Sequence, residues 1–180
     1  ISTRANFFSD TLAEKAVQLF HHTVDGGGGL AAAGAAELME AQTGLMSCFA
    51  AGASSSGIVT SIALAINARY KLSRALVSTI LLPYMLEDSV RSRTERLGTL
   101  SRIMGLAGES TAAAEAAEIL IADIRNRIAV TGLPARLKEL GLSIEQLAPV
   151  AEDAGALETM SYLPHSMTSD DIFNLLKQAY

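Results

Sequence analysis

Three histidines, one cysteine and 19 acidic residues are the chain's stock of metal ligands, nucleophiles and acid–base groups. His21 and His22 are adjacent in "LFHHTV", so on a helix they point to different faces and cannot share an ion. His165 stands apart in "YLPHSMTS". Neither HxxxH nor HExxH occurs, the spacings that would place two imidazoles on one helical face, and there is no Glu-x-x-His of the di-iron bundle type. Each histidine is therefore read as a structural or surface residue. The carboxylate pairs Glu87/Asp88 and Asp170/Asp171 are read as helix-end groups that serve a dipole or solvent. Met85, Met104 and Met160 read as core filler, and Cys48, among apolar neighbours in "GLMSCFAAG", as an inert core thiol. A lone cysteine forms no internal disulfide, which points to a reducing, cytoplasmic setting.

The elements that must position any chemistry are helical throughout. Ser9 is the expected N-cap of "DTLAEKAVQLFHHTV", and "DGGGG", Asp25 to Gly29, is read as a flexible connection to an alanine-rich helix from Leu30 to about Ala51. "SSSG" breaks the chain at Ser54 to Gly57. Two apolar helices with a short basic turn between them follow in "SSGIVTSIALAINARYKLSRALVSTILLPYMLE", Ser73 capping the second. A charged-faced segment runs from Asp88 to Leu106. A long helix then opens at Ser110 and stops at Gly132. Capping boxes at Ser143/Gln146 and Thr168/Asp171 start the last two helices. No period-2 run of β-branched residues and no internal repeat is present, so the fold class is all-α, one helical bundle over residues 1–180.

Composition narrows the partners. Hydrophobic residues make up 49% and charged residues 18% of 180, and mean hydropathy is +0.29. That is apolar for a lone domain and predicts a broad surface buried against another domain or subunit. The net charge of −5 with scattered cations gives neither a nucleic-acid footprint nor a polybasic membrane patch. The apolar runs around 58–67 and 75–86 are too short to span a bilayer. An opening Ile1 in place of Met is read as processing, or as a start inside a longer protein.

Four blocks in order, "RANFFSDTLAEKAVQLF", "ILLPYMLE", "TGLPARLKELGLSIEQLAPVAEDA" and "TSDDIFNLLKQAY", resemble the C-terminal helical domain of iron-containing (group III) alcohol dehydrogenases. The resemblance runs from about Ser9 to Tyr180 and implies the helical bundle of those and dehydroquinate synthase-like enzymes. It also implies an N-terminal dinucleotide-binding domain, outside this chain, that supplies most of the site for NAD or NADP. Substrate, nicotinamide and metal then sit in a cleft between the two.

Such enzymes carry cleft histidines as H-x3-H-x9-H just before "ILLPY". The resemblance sets Thr60, Leu64 and Arg74 at those three positions. Threonine offers one weak oxygen, leucine nothing and arginine a fixed positive charge, so no metal is expected there. A guanidinium where a cation would sit could polarise a carbonyl or hold a substrate carboxylate. The resemblance thus implies Arg74 as the catalytic group, with Thr60, Leu64 and Asn67 lining the substrate cleft of a metal-independent NAD(P)-dependent oxidoreductase, a homodimer without nucleic-acid or membrane partners. The alternative is a non-catalytic dehydrogenase-like helical module kept for interaction, its partner being its own N-terminal domain or a separate chain.

Overall fold

The computed structural model describes residues 2–25 and 30–180. The glycines at 26–29, expected as a flexible connection, lie outside the described residues. Seven α-helices follow one another: α1 (Phe7–Asp25), α2 (Leu30–Ala53), α3 (Gly57–Tyr70), α4 (Arg74–Ile103), α5 (Ala113–Thr131), α6 (Leu147–Gly155) and α7 (Ser169–Gln178). Short 3-10 turns at Leu137–Leu140, Ile144–Gln146 and Glu158–Tyr162 join the later ones. No strand occurs among the described residues, in accord with the all-α expectation.

Local chemistry sets the helix starts. The Leu76 amide donates to Ser73 Oγ at 3.5 Å, as the capping role of Ser73 predicts. At α7 the Thr168 amide donates to Asp171 Oδ2 (2.8 Å) while the Asp171 amide donates to Thr168 Oγ1 (3.2 Å). The capping box at Ser143/Gln146 is also present, although it opens a 3-10 turn that runs into α6. Gly132 ends α5 at φ +67°, a left-handed conformation that glycine adopts without penalty.

Three expectations are corrected. α1 begins at Phe7, with Asn6 and not Ser9 as its cap: the Asn6 amide donates to Ser9 Oγ (2.9 Å) and the Ser9 amide to Asn6 Oδ1 (3.1 Å). The segment after Glu87 does not start a new helix, because α4 runs 30 residues with Pro83 inside it and a break in dihedrals at Arg93 (φ −139°, ψ 27°). Glu87 and Asp88 are therefore mid-helix groups, and Glu87 is paired with Arg125 at 2.6 Å. Cys48 is exposed, on the face of α2 turned away from α1.

The main core joins α3, the first half of α4, α6 and α7 through Ile62, Ile66, Leu81, Val150 and Leu176, none of which retains measurable exposure. Each such side chain contributes about 1.5–3 kcal/mol on burial. A second cluster, Leu97, Leu120 and Ile121 among it, binds the far half of α4 to α5. α1 and α2 pack on each other, and much of the apolar surplus seen in the composition lies on this pair: Phe7, Phe8, Phe20, Leu38, Leu45 and Phe49 are all exposed. Among the described residues no single helix is long and apolar enough to cross a membrane. α2 and α3 reach that length and composition only together, across a bend of 98°.

Candidate functional site

α3 is the most enclosed helix of the α3–α4 pair at its start, with Ile58, Ser61, Ile62, Ala63, Ala65 and Ile66 buried. Its outward stripe is Thr60, Leu64 and Ala68, with half-buried Asn67 beside it, the i, i+4, i+7, i+8 spacing of one helical face. The structure thus brings Thr60, Leu64 and Asn67 to the same side, and Leu64 remains 42% exposed. Ser61, buried at the edge of this stripe, fixes the helix: its hydroxyl meets Thr159 Oγ1 at 2.6 Å and donates to the Gly57 carbonyl at 3.1 Å.

Asn67 has a structural task as well. Its side-chain amide donates to the Leu72 carbonyl at 2.8 Å, closing the turn from α3 to α4. Lys71 in that turn adopts φ +57°, the one left-handed residue among the described residues that is not glycine. Arg74 is the first residue of α4, immediately after the Ser73 cap, and is exposed. It makes no hydrogen bond or ion pair among the described residues, unlike Arg69 with Asp153, Arg96 with Asp10, Arg125 with Glu87 and Arg127 with Asp123. The Arg69 guanidinium holds the Asp153 carboxyl below the usual carboxylate range. Arg74 also stands where the amides of the first helical turn concentrate positive potential, which disfavours a cation.

Beside this face a groove of about 660 Å³ lies among α1, α2, α3, α4 and α5. Thr60 and Leu82 line it, together with Ala16, Ala50, Met104 and Ile124. Leu64, Asn67 and Arg74 do not. Leu82 and Arg74 share a face of α4 eight residues apart, about 12 Å along the axis at 1.5 Å per residue. The candidate residues therefore run outward from the groove, with Arg74 away from its wall.

The chemistry available is that of a guanidinium, two hydroxyls and an apolar wall. Among the described residues no three His, Cys, Asp or Glu side chains converge in a way that could hold an ion. Thr60, Leu64 and Arg74 do not fit a divalent metal, since they offer one neutral oxygen, no donor and a repelling charge. Two sites went unseen in the sequence. Ser55, in sequence only part of the "SSSG" break, lines the groove. His165, isolated in sequence, lies 3.4 Å from Asp88 Oδ2, in a second, polar cleft between α4 and α7. Nothing local signals either, because both depend on helices distant along the chain.

The model of the Fe-containing alcohol dehydrogenase family, C-terminal, matches residues 1–180. The NAD-dependent methanol dehydrogenase of Bacillus methanolicus is 26% identical over 125 residues, which is 68% of this chain and 32% of that protein. The solved alcohol dehydrogenase from Oenococcus oeni superposes with a TM-score of 0.90 at 23% identity, over 100% of this chain and 47% of that one. The crystal structure of a 1,3-propanediol oxidoreductase gives a TM-score of 0.88 at 23% identity, over 99% and 47%. The chain thus spans less than half the length of these relatives, and the structural likeness at such identities speaks to fold.

Proposed function

The chain belongs to the Fe-containing alcohol dehydrogenase family, as its C-terminal domain, and from that premise we propose that it is the substrate-side half of a metal-independent NAD(P)-dependent oxidoreductase. The hydride belongs to the nicotinamide, held mainly by a dinucleotide-binding domain outside this chain. The NAD dependence of the methanol dehydrogenase relative supports NAD as the cofactor. Thr60 and Leu64 form the wall against which the substrate lies, Asn67 keeps the α3–α4 turn closed, and Arg74 polarises the carbonyl oxygen. The protein works as a cytoplasmic homodimer with no nucleic-acid or membrane partner.

The observation that carries this reading is the unpaired state of Arg74. A guanidinium with no acidic neighbour, placed where a helix dipole opposes it, is electrostatically costly and available to a developing oxyanion. The test is steady-state aldehyde reduction by the full-length protein with NADH and NADPH, comparing the parent with Arg74→Met and Arg74→Lys. Loss of one oxyanion donor typically lowers kcat by about 10²–10³-fold, so Arg74→Met falls by that order and Arg74→Lys recovers part of it. Arg74→Met is also more stable by about 0.3–1 kcal/mol, because a cation leaves the helix N-terminus. Lost activity is thereby separated from unfolding. Treatment with EDTA leaves the parent's rate unchanged. An Arg74→Met protein as fast as the parent removes the role. The second reading, a non-catalytic interaction module, is favoured by the exposed Phe7, Leu45 and Phe49. It predicts no turnover in the parent with either cofactor.

A further inference from the structure

The polar cleft between α4 and α7 has a volume of about 510 Å³, inside the range of about 300–1,000 Å³ usual for small-molecule sites. It shares no residue with the groove among α1–α5 or with the outward stripe of α3. Glu87, Asp88 and Arg91 enter it from α4, Asn174 and Gln178 from α7, and His165 from the segment before α7. Arg91 follows Asp88 by three residues and Glu87 by four, so all three share one face of α4. Asn174 and Gln178, four apart, share a face of α7 in the same way.

These groups differ in what they already hold. Glu87 accepts two nitrogens of Arg125, at 3.1 and 2.6 Å. Asp171, also at the cleft, accepts the amide and the hydroxyl of Thr168 at 2.8 and 2.7 Å. Asp88 is bound less completely. Its Oδ2 is turned inward and sealed from solvent, 3.4 Å from His165 Nε2 but without a hydrogen bond. The side chain still keeps 34% of its surface, and Oδ1, the outer oxygen, makes no hydrogen bond among the described residues. Arg91 is exposed and holds no partner among them, although helical spacing puts two carboxylates within its reach. The side-chain amides of Asn174 and Gln178 are unengaged as well.

Two unmatched charges of opposite sign thus stand one turn apart at one cleft, facing two free amides. A simple cation would be drawn to Asp88 and repelled by Arg91, and a simple anion would meet the reverse. A ligand with both charges on one carbon gains both contacts. We propose that this cleft binds a zwitterionic α-amino acid with an uncharged polar side chain. Its ammonium lies at Asp88 Oδ1, its carboxylate on the planar fork of Arg91 and its side chain against Asn174 and Gln178. The proposal does not rest on the oxidoreductase reading, and its test reads binding alone.

That test is titration of the full-length protein with L-glutamine, L-asparagine and L-serine, followed by calorimetry or ligand-observed NMR. Saturable binding of L-glutamine is expected. N-acetyl-L-glutamine lacks the ammonium and L-glutaminamide lacks the carboxylate. Each binds about ten-fold more weakly or worse, the usual effect of losing one charge-assisted hydrogen bond. Arg91→Gln weakens L-glutamine by about the same factor. It binds L-glutaminamide at least as tightly as the parent does, because a repulsion has been removed. Asp88→Asn weakens L-glutamine and binds N-acetyl-L-glutamine at least as tightly, for the same reason. Unfolding would weaken every ligand alike, so the crossed pattern separates a binding role from a structural one. Three amino acids that all fail to saturate, blocked forms that bind as well as L-glutamine, or an Arg91→Gln protein that binds L-glutamine like the parent each overturns the proposal.

Discussion

Gly98 decides how closely α4 and α5 approach, and replacing it gives a result whose sign is informative. It is buried in the far half of α4. A Cβ at this position would stand 3.0 Å from both Cα and O of Ala113 and 3.2 Å from its Cβ. Two of those atoms are backbone at the first turn of α5, so no rotamer change relieves the contact. Two effects then oppose each other in Gly98→Ala. The helix gains about 0.5–1 kcal/mol because alanine loses less backbone entropy than glycine. Overpacking against fixed backbone costs about 1–3 kcal/mol. The clash wins, with a net loss of about 1 kcal/mol, or about 2–4 °C in Tm for a chain of this size. Gly44 is the internal control. It lies within α2 with nothing within 4 Å of its Cβ position, so Gly44→Ala keeps only the first effect and gains about 0.5–1 kcal/mol. Urea denaturation of both variants, with m-values unchanged, reads the difference directly. A Gly98→Ala protein as stabilised as Gly44→Ala would show that the α4–α5 contact yields freely.

Two further outcomes follow from other parts of the chain. Cys48 is exposed, so a thiol reagent labels the native protein at close to the rate of the urea-unfolded one. A slow phase limited by unfolding would place the thiol in a core. Asp171 is held below the usual carboxylate range, first by the Thr168 hydroxyl and then by the Thr168 amide. A depressed folded-state pKa contributes stability that is complete above the unfolded value, about 3.9, and that disappears as pH falls through the lower folded value. The stability gap between the parent and Asp171→Asn is therefore full at pH 7 and closes below about pH 4. A gap that persists unchanged at pH 2 would mean that the α7 start does not depend on the carboxylate's charge.

The parts of this fold legible in the sequence are those decided within four residues of chain. Ser73, Ser143/Gln146, Thr168/Asp171 and Gly132 each satisfy an orphan backbone group locally, and each takes the predicted place. Asn6 was missed because the box there is reversed, with asparagine at the cap and serine at the third helical position. Cys48 was misplaced for a different reason. α2 is apolar nearly all round, so no stripe distinguishes the face that meets α1 from the face that does not, and only the packing of α1 settles it. Glu87 needed Arg125, 38 residues on, before it could be seen as a mid-helix pair.

The candidate site divides along the same line. The outward stripe of α3 follows from helical spacing once one residue on it is chosen, and the family resemblance supplied that choice. The groove could not be found this way, because its lining comes from five helices and none contributes a motif. What the structure adds is a difference among the cations. Arg69, Arg96, Arg125 and Arg127 each hold a carboxylate, as expected of charges whose function is to bind one helix to another or to itself. Arg74 holds none, as Arg91 and Arg93 hold none among the described residues, but of these Arg74 alone sits at the helix end that repels it. An exposed cation in that position contributes nothing to the fold that a neutral residue would not improve on, which is why the Arg74→Met comparison can separate a loss of turnover from a loss of stability.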